Sequence, residues 1–369
     1  MENFSQSNPI RYPDYHNCIS SLACSLLQYY GINPPNSTLP QADALLQKKY
    51  KNIVLLLLDG MGMNILKKHL SKDSFFCRNV KTVYSSTFPP TTVAATAAAD
   101  SGLFPNQSGW LGWTGYFDKI DKNIVYFFSK DDDTGEQLDY NVAHTYVPYE
   151  SLLGKIKKSG VDTHYLAPFA EPFPQNYDAF CEEIRRLCHG KNRQYIYAYW
   201  DEPDASMHKN GIDGADIQKL LADIEKTTAQ LAGRLQDTLL LITADHGHIN
   251  VKNKVITDYP DITECLVRMP SMEMRALNFF IKDGMKEQFV SAFHRHFGDS
   301  FLLFSKKELM EKQLLGIGKN RAEVDPMLGD YLAAAISDIA ICNTPCRFKG
   351  NHAGLTADEM EIPLIALSL

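Results

Sequence analysis

At 369 residues, with 44% hydrophobic and 22% charged side chains, the chain has the composition of an ordinary globular protein and is long enough to bury a sizeable core. A formal net charge of −7 argues against a broad basic surface for nucleic acid, although a local metal-rich pocket stays open. The longest strongly apolar run, Ile53–Leu58, is far too short to cross a bilayer, and Met1–Cys18 has no basic segment followed by an apolar run, so the expectation is a cytoplasmic protein without a membrane partner.

In chain order, Ile19–Tyr30 is amphipathic and is expected to pack as a covering helix. Ile53–Leu58 is unbroken hydrophobic, as a strand buried on both faces would be. Asp59 follows it directly, with Gly60 and Gly62 beyond. A carboxylate there suits a metal ligand at the end of a strand, and the rival role is a helix N-cap before Met61–His69. Ser85–Ala99 gathers hydroxyls just ahead of an alanine-rich helix. Free backbone N–H groups and the positive dipole end at that point would bind a phosphate or stabilise a threonine alkoxide. The blander reading is N-capping by Thr91 or Thr92.

Further strand-like runs are Ile124–Phe128, Tyr195–Tyr199, Thr238–Thr243, Ile339–Cys342 and Pro363–Leu367. Helix-like stretches between them are Ser151–Lys158, Asp178–Cys188 and Ala215–Leu235. This alternation predicts an α/β fold, a mainly parallel central sheet flanked by helices, with sites at the carboxyl ends of its strands. Residues 271–318 break the pattern with strand, helix, strand, helix (Arg275–Ile281, Lys286–His296, Phe301–Phe304, Lys306–Lys312) and are expected to form a small α+β insertion. Residues 1–270 and 319–369 then make one core domain.

Asp204 and His208 follow the Tyr195–Tyr199 run and are four apart, so one helical turn would put an oxygen and a nitrogen ligand on one face. Thr243-Ala-Asp245-His246-Gly247-His248 closes the Thr238–Thr243 strand. A charged pair at the end of an apolar strand is costly unless something binds it, which points to metal ligation by Asp245 and His246. His248 is left unassigned. His352, in Gly350-Asn-His352-Ala-Gly354, is a candidate last nitrogen ligand. Asp59, Asp204, His208, Asp245, His246 and His352 together supply three carboxylates and three imidazoles. Mixed N/O ligation favours zinc, with manganese or iron as alternatives, and six protein ligands suit two ions about 4 Å apart better than one open site. The eight cysteines are scattered without a CxxC pair and are expected to be reduced, mostly buried thiols.

From about Lys51 to Leu369 the order of these motifs resembles the alkaline phosphatase superfamily, and most of all its type I phosphodiesterase/nucleotide pyrophosphatase branch. The resemblance implies an alkaline phosphatase-like fold. It implies that Asp204, His208 and His352 hold a first metal and that Asp59, Asp245 and His246 hold a second. The family's nucleophile lies ten residues before the glycine of a Gly-Leu-x-Pro segment. That segment is Gly102-Leu-Phe-Pro105 here, which selects Thr92, also expected to touch metal, over Thr87 and Thr91. Ala95 stands where many nucleotide pyrophosphatases have Asn, and Met207 where a glycine usually precedes the first-metal histidine. Both departures bear on substrate class.

The implied activity is a two-zinc hydrolase of a small-molecule phosphate ester or nucleotide. A phosphodiester or nucleotide pyrophosphate is split through a covalent phospho-threonine at Thr92. Trp110, Trp113, Tyr116 and Phe117 are expected either to stack on the substrate or to pack on the sheet. Phosphomonoester or phosphonate hydrolysis at the same site, and an inactive metal-stabilised binding protein, are the alternatives. A homo-oligomer is left open.

Overall fold

The computed structural model describes residues 9–369; the first eight residues of the expected core domain lie outside it. A six-stranded sheet forms the centre, built from β1 (Asn52–Leu58), β2 (Val80–Ser85), β3 (Asp162–Leu166), β4 (Gln194–Trp200), β5 (Thr238–Thr243) and β6 (Glu361–Ser368), in the order β2-β6-β5-β1-β4-β3. Strands β5, β1, β4 and β3 pair in parallel, while β6 runs antiparallel to both β5 and β2. All residues of β1, β4 and β5 are buried, which is why these segments read as continuous apolar runs rather than alternating ones. Leu58, Trp200 and Thr243 end at the same edge of the sheet, because β1 aligns residue by residue with both neighbours.

Helices flank the sheet in two groups. Ile19–Tyr29 packs against Thr92–Ser101 and Leu152–Lys158, and Tyr177–Cys188 packs with Ala215–Ala232. The expected covering helix Ile19–Tyr29 is buried almost throughout. Among the described residues no helix is long and apolar enough to cross a membrane. Six of the eight cysteines are buried, and all eight are free.

Two predicted strands belong elsewhere. The Ile124–Phe128 run is a strand only over Lys122–Val125. It lies in a three-stranded antiparallel sheet with Thr114–Phe117 and Lys130–Asp131, and its chain turns at Phe127 and Phe128, whose rings are exposed. Ile339–Cys342 is a strand as expected, but it pairs in parallel with Lys252–Val255 outside the central sheet. An apolar run reports burial, not which sheet buries it.

Within residues 271–318 the strands Ser271–Glu273, Ala276–Phe279 and Phe301–Ser305 form, as do the helices Lys286–Phe297 and Lys306–Glu311. The sheet they build is completed by Tyr331–Ala335, which lies between Ala276–Phe279 and Phe301–Ser305. The small sheet thus draws its central pairing from beyond Gly318. A separate apolar cluster, including Phe279, Phe289, Phe293 and Phe301, fills the space under its helix.

Candidate active site

The site lies beyond the carboxyl ends of β1, β4 and β5, where an open α/β sheet leaves backbone groups free. Asp59 follows β1 and is not a helix cap, since the next helix starts at Met63 with Gly62 as its N-cap. The backbone ties the three strand ends together: Asp59 N–H donates to the Trp200 carbonyl, Asp204 N–H to the Asp59 carbonyl, and Gly60 N–H to Asp245 Oδ1 at 3.0 Å. Asp204 opens the helix Asp204–Asn210, so His208 falls one turn on and on the same face. His352 arrives from a loop beside Gly350–Asn351, a short strand paired with Ile249–Asn250 just past the Asp245-His246 turn.

All six predicted ligands converge, in two groups. Asp59, Asp245 and His246 form one; Asp204, His208 and His352 form the other, joined by His248. The groups adjoin, because the rings of His246 and His352 stack with centroids 3.6 Å apart. Within them, His246 Nε2 lies 3.3 Å from Asp59 Oδ1 and 3.6 Å from Asp245 Oδ2, and His208 Nε2 lies 3.4 Å from Asp204 Oδ2. An ion with tetrahedral bonds of ~2.0–2.1 Å separates its ligand atoms by about 3.3 Å, so these spacings fit ligands of a common ion. Asp59 Oδ1, Asp204 Oδ1 and Asp245 Oδ2 are buried and have no hydrogen-bond partner, which is costly for carboxylates unless a cation faces them.

Three imidazoles are oriented from behind. Nδ1 of His208 lies 3.0 Å from the Gly350 carbonyl, Nδ1 of His246 lies 3.0 Å from that of Gly247, and Nδ1 of His352 lies 3.0 Å from that of Pro90. A carbonyl can only accept, so each Nδ1 carries the proton and each Nε2 presents its lone pair to the site, as metal-ligating histidines do. Asp245 Oδ1 accepts from the N–H groups of Gly60 and His246, which leaves Oδ2 to face inward. The Tyr199 hydroxyl donates to Asp59 Oδ2.

Burial raises the carboxyls of Asp59 and Asp245 well above the usual carboxylate range, and neighbouring Asp204 and Asp59, respectively, push them further. Burial acts the same way on Asp204, but His208, His248 and His352 around it outweigh that and hold it well below the usual range. Burial lowers His352 well below an ordinary imidazole and keeps it neutral. Bringing three carboxylates together in a buried site is a state that a divalent cation stabilises.

Thr92 is the first residue of the helix Thr92–Ser101, and its Oγ1 lies 3.4 Å from Asp59 Oδ2 and 3.3 Å from His246 Nε2. The two rival hydroxyls are engaged elsewhere. Thr91 is the N-cap and donates to Glu273 Oε1 at 2.5 Å, and Thr87 is buried and donates to the Pro89 carbonyl. A cavity of about 650 Å³ opens in front of Thr92, Asp204, His208 and His352. Its other walls come from the small sheet (Ser271–Met274), from Trp113 and from the Asn343–Phe348 loop.

Of the four aromatic residues expected to stack or pack, only Trp113 lines this cavity, at 41% exposure. Trp110 and Phe117 are buried, with Trp110 donating to the Val147 carbonyl and Phe117 packed on Tyr126 and Tyr146. Tyr116 carries Arg268 over its ring and donates to Asp121. Two residues of the site escape sequence reasoning. His248 is the third imidazole around Asp204. Glu273 is a half-buried carboxyl pushed up to about 7 by desolvation, and its Oε1 accepts from Thr91 and from Trp113 N–H at 2.6 Å. His248 is signalled by its place two residues after His246, whereas Glu273 has no local signal.

Residues 53–286 match the family model of type I phosphodiesterase/nucleotide pyrophosphatase. Among solved structures, murine ectonucleotide pyrophosphatase/phosphodiesterase 5, as an inactive variant in complex with AMP, shares the fold at 14% identity with a TM-score of 0.65, over 86% of this chain and 88% of that one. The same murine enzyme without that description of a ligand matches at 16% identity and a TM-score of 0.64, over 85% and 87% of the two chains. The human protein of that name matches at 15% identity and 0.65, also over 85% and 87%. No curated protein sequence matches the chain.

Proposed function

Because the chain belongs to the type I phosphodiesterase/nucleotide pyrophosphatase family of the alkaline phosphatase superfamily, and so to the metal-dependent phosphoric ester hydrolases, we propose that it splits a phosphodiester or nucleotide pyrophosphate with Thr92 as nucleophile and two zinc ions as cofactors. The observation that carries this reading is the position of Thr92 Oγ1, 3.3 Å from His246 Nε2 and 3.4 Å from Asp59 Oδ2 at the open end of a helix. Asp59, Asp245, His246 and Thr92 would hold one ion, and Asp204, His208 and His352 the other. When bound, the ions supply the Lewis acidity that makes the threonine hydroxyl ionisable near neutral pH and neutralise charge on the phosphoryl oxygens. Manganese or iron would fit the same N/O donors.

Thr92 Oγ1 gives up its proton to solvent and attacks phosphorus, the bond to the leaving oxygen breaks, and a phospho-threonine that keeps the other ester group forms. The leaving oxygen departs with the electron pair and takes a proton from solvent. Water then attacks the phosphorus, the bond to Thr92 Oγ1 breaks, the proton that the water loses restores the Thr92 hydroxyl, and the phosphomonoester leaves. The Thr92 N–H, at the start of its helix, has no intrahelical acceptor and is free to donate to developing oxyanion charge.

The cavity favours a diester over a monoester. Its lining holds no Lys or Arg but includes Asp132 and Glu273, so it suits a singly charged phosphodiester better than a doubly charged monoester. Trp113 is the surface on which the second ester group, such as a nucleoside, would stack. That the murine neighbour is described in complex with AMP is consistent with a nucleotide ligand. We read the small sheet around Ser271–Glu273 as an insertion on the hydrolase core that supplies this wall of the cavity.

Hydrolysis of bis-p-nitrophenyl phosphate against p-nitrophenyl phosphate, with metal content on the same sample, tests the proposal. Diester turnover abolished by chelator and by Thr92→Ala supports it. Faster monoester turnover would move the substrate class and keep the site. No metal and no turnover on either compound would leave an inactive metal-type scaffold.

A further inference from the structure

We propose that His248 is a fourth protein ligand of the ion held by Asp204, His208 and His352, so that this ion is enclosed by side chains that take no part in bond making, while the fourth place on its neighbour is filled by the reacting hydroxyl of Thr92. The inference rests on the two-metal reading above and concerns which side chains surround the first ion. His248 is fully buried, and neither of its ring nitrogens has a hydrogen-bond partner. A buried imidazole in that state forfeits two hydrogen bonds to water, a cost that a bound cation would remove. The other three imidazoles of the site each anchor Nδ1 on a backbone carbonyl.

The obvious alternative is that His248 only orients Asp204 by donating to it. The geometry is against this. His248 Nε2 lies 3.1 Å from Asp204 Oδ1, yet both atoms remain without a hydrogen-bond partner. At that distance a bond fails only on its angle, so the two atoms do not aim straight at each other, an arrangement that two ligands of one ion also have. The separation is close to the edge of about 3.3 Å expected between two ligands on one tetrahedral ion. The ring is held by packing. A Cβ at Gly350 would come 2.8 Å from its Nδ1 and Cε1, and its centroid lies 4.7 Å from that of His208 and 5.5 Å from that of His352. Three imidazoles thus surround the inward oxygens of Asp204.

The consequence is a division of labour. Four permanent protein ligands fill a tetrahedral zinc shell, whereas three leave a place for a reacting group, here Thr92. The first ion could accept a substrate oxygen only by expanding to five ligands, whereas Asp59, Asp245 and His246 leave a position for Thr92.

The test uses protein labelled with 15N-histidine and loaded with 113Cd in place of the native ion, read as one-bond cadmium–nitrogen couplings. Four coupled histidine nitrogens in the wild type, falling to three in His248→Gln with at least a tenfold loss of cadmium affinity at one site, is the expected result. Three coupled nitrogens in the wild type would overturn the proposal, and the wild-type spectrum decides even if the variant fails to fold. No coupled nitrogen at all would instead overturn the two-metal reading on which it rests.

Discussion

Thr92 Oγ1 stands 3.3 Å from His246 Nε2, the same distance that separates His246 Nε2 from Asp59 Oδ1. The hydroxyl is therefore spaced like a ligand and not like a bystander capping its helix. Thr92→Ala is expected to lower turnover by at least about a thousandfold, as loss of a nucleophile does, and to leave the carboxylate and imidazole ligands in place. Steady-state rates with metal content measured on the same samples check this. Loss of metal together with activity would make Thr92 chiefly a ligand, and near-normal turnover would remove it from the chemistry. Mass spectrometry of quenched wild-type turnover should find the phosphoryl group, still carrying its retained ester group, on the peptide carrying Thr92.

Metal uptake should release protons. Burial holds Asp59 and Asp245 protonated well above the usual carboxylate range when no cation faces them, and both must ionise to bind one. The metal-free protein thus carries protons that the loaded protein lacks, so affinity rises with pH and falls as pH drops. His352, kept neutral by burial, adds no competing proton. Calorimetric titration with zinc in buffers of different ionisation enthalpy should show net proton release at about pH 6–7. An enthalpy that does not change with buffer would contradict the shifted carboxyls.

Much of this site is legible in the sequence because each strand of the sheet's centre is buried on both faces and ends at a charged residue. Asp59, Asp245 and His246 stand directly after apolar runs that nothing but a binding site interrupts. Asp204 and His208 are readable from helical spacing alone. What stays hidden depends on long-range packing. Ile124–Phe128 and Ile339–Cys342 look like core strands, but the sheets that bury them are set by Thr114–Phe117 and Lys252–Val255. Glu273 reaches the cavity only because its strand pairs with Ala276–Phe279 and abuts Thr91 and Trp113, a relation between residues some 160 to 180 positions apart.

The same packing makes Arg275 and Glu359 a target. Both are fully buried and joined by two hydrogen bonds of 2.7 and 2.8 Å, and Glu359 also accepts from Gly354 N–H and Thr356 Oγ1. The pair thus ties the small sheet to the loop that carries His352. Glu359→Gln leaves Arg275 buried with its charge unpaired and is expected to cost about 3–5 kcal/mol, with loss of metal from the first site. Chemical denaturation and metal analysis read both effects. The double variant Arg275→Met/Glu359→Leu should recover part of the stability but not the metal. A single variant as stable as wild type would show that the pair is not what holds the loop.

Asp100 gives a stability prediction away from the metals. It sits in the last turn of the Thr92–Ser101 helix, its Oδ1 is buried without a partner, and burial pushes its carboxyl up to about 7. In the unfolded chain it titrates near its ordinary value, so between there and about 7 the folded state holds the extra proton. Stability from this group is then greatest at low pH and is lost as pH rises through the folded value. Asp100→Asn should stabilise the protein at about pH 8 by up to about 4 kcal/mol, and its advantage should shrink by about 2–3 kcal/mol at about pH 5. Urea midpoints at the two pH values measure the gap. An advantage that does not change with pH would mean that Asp100 is not held protonated by the fold.

Gly247 tests whether the second metal group depends on backbone contact. It lies between His246 and His248, and its N–H donates to the Glu359 carbonyl at 2.9 Å. A Cβ built there would overlap the Asp358 carbonyl oxygen, and one built at Gly62 would overlap the Gly247 backbone. The two glycines let the turns after β1 and β5 approach until Asp59 Oδ1 and His246 Nε2 lie 3.3 Å apart. Relief of the clash in Gly247→Ala must move main chain, since the nearest obstacle is the Asp358 carbonyl and not the end of a flexible side chain. The His246 ring is anchored on the Gly247 carbonyl and moves with it. The expected outcome is a stability loss of about 1–3 kcal/mol, weakened metal binding beside Thr92 and little turnover. Retention of two tightly bound ions per chain would show that the turn absorbs a methyl group without moving His246, and the close approach of the two glycines would then not be what builds the site.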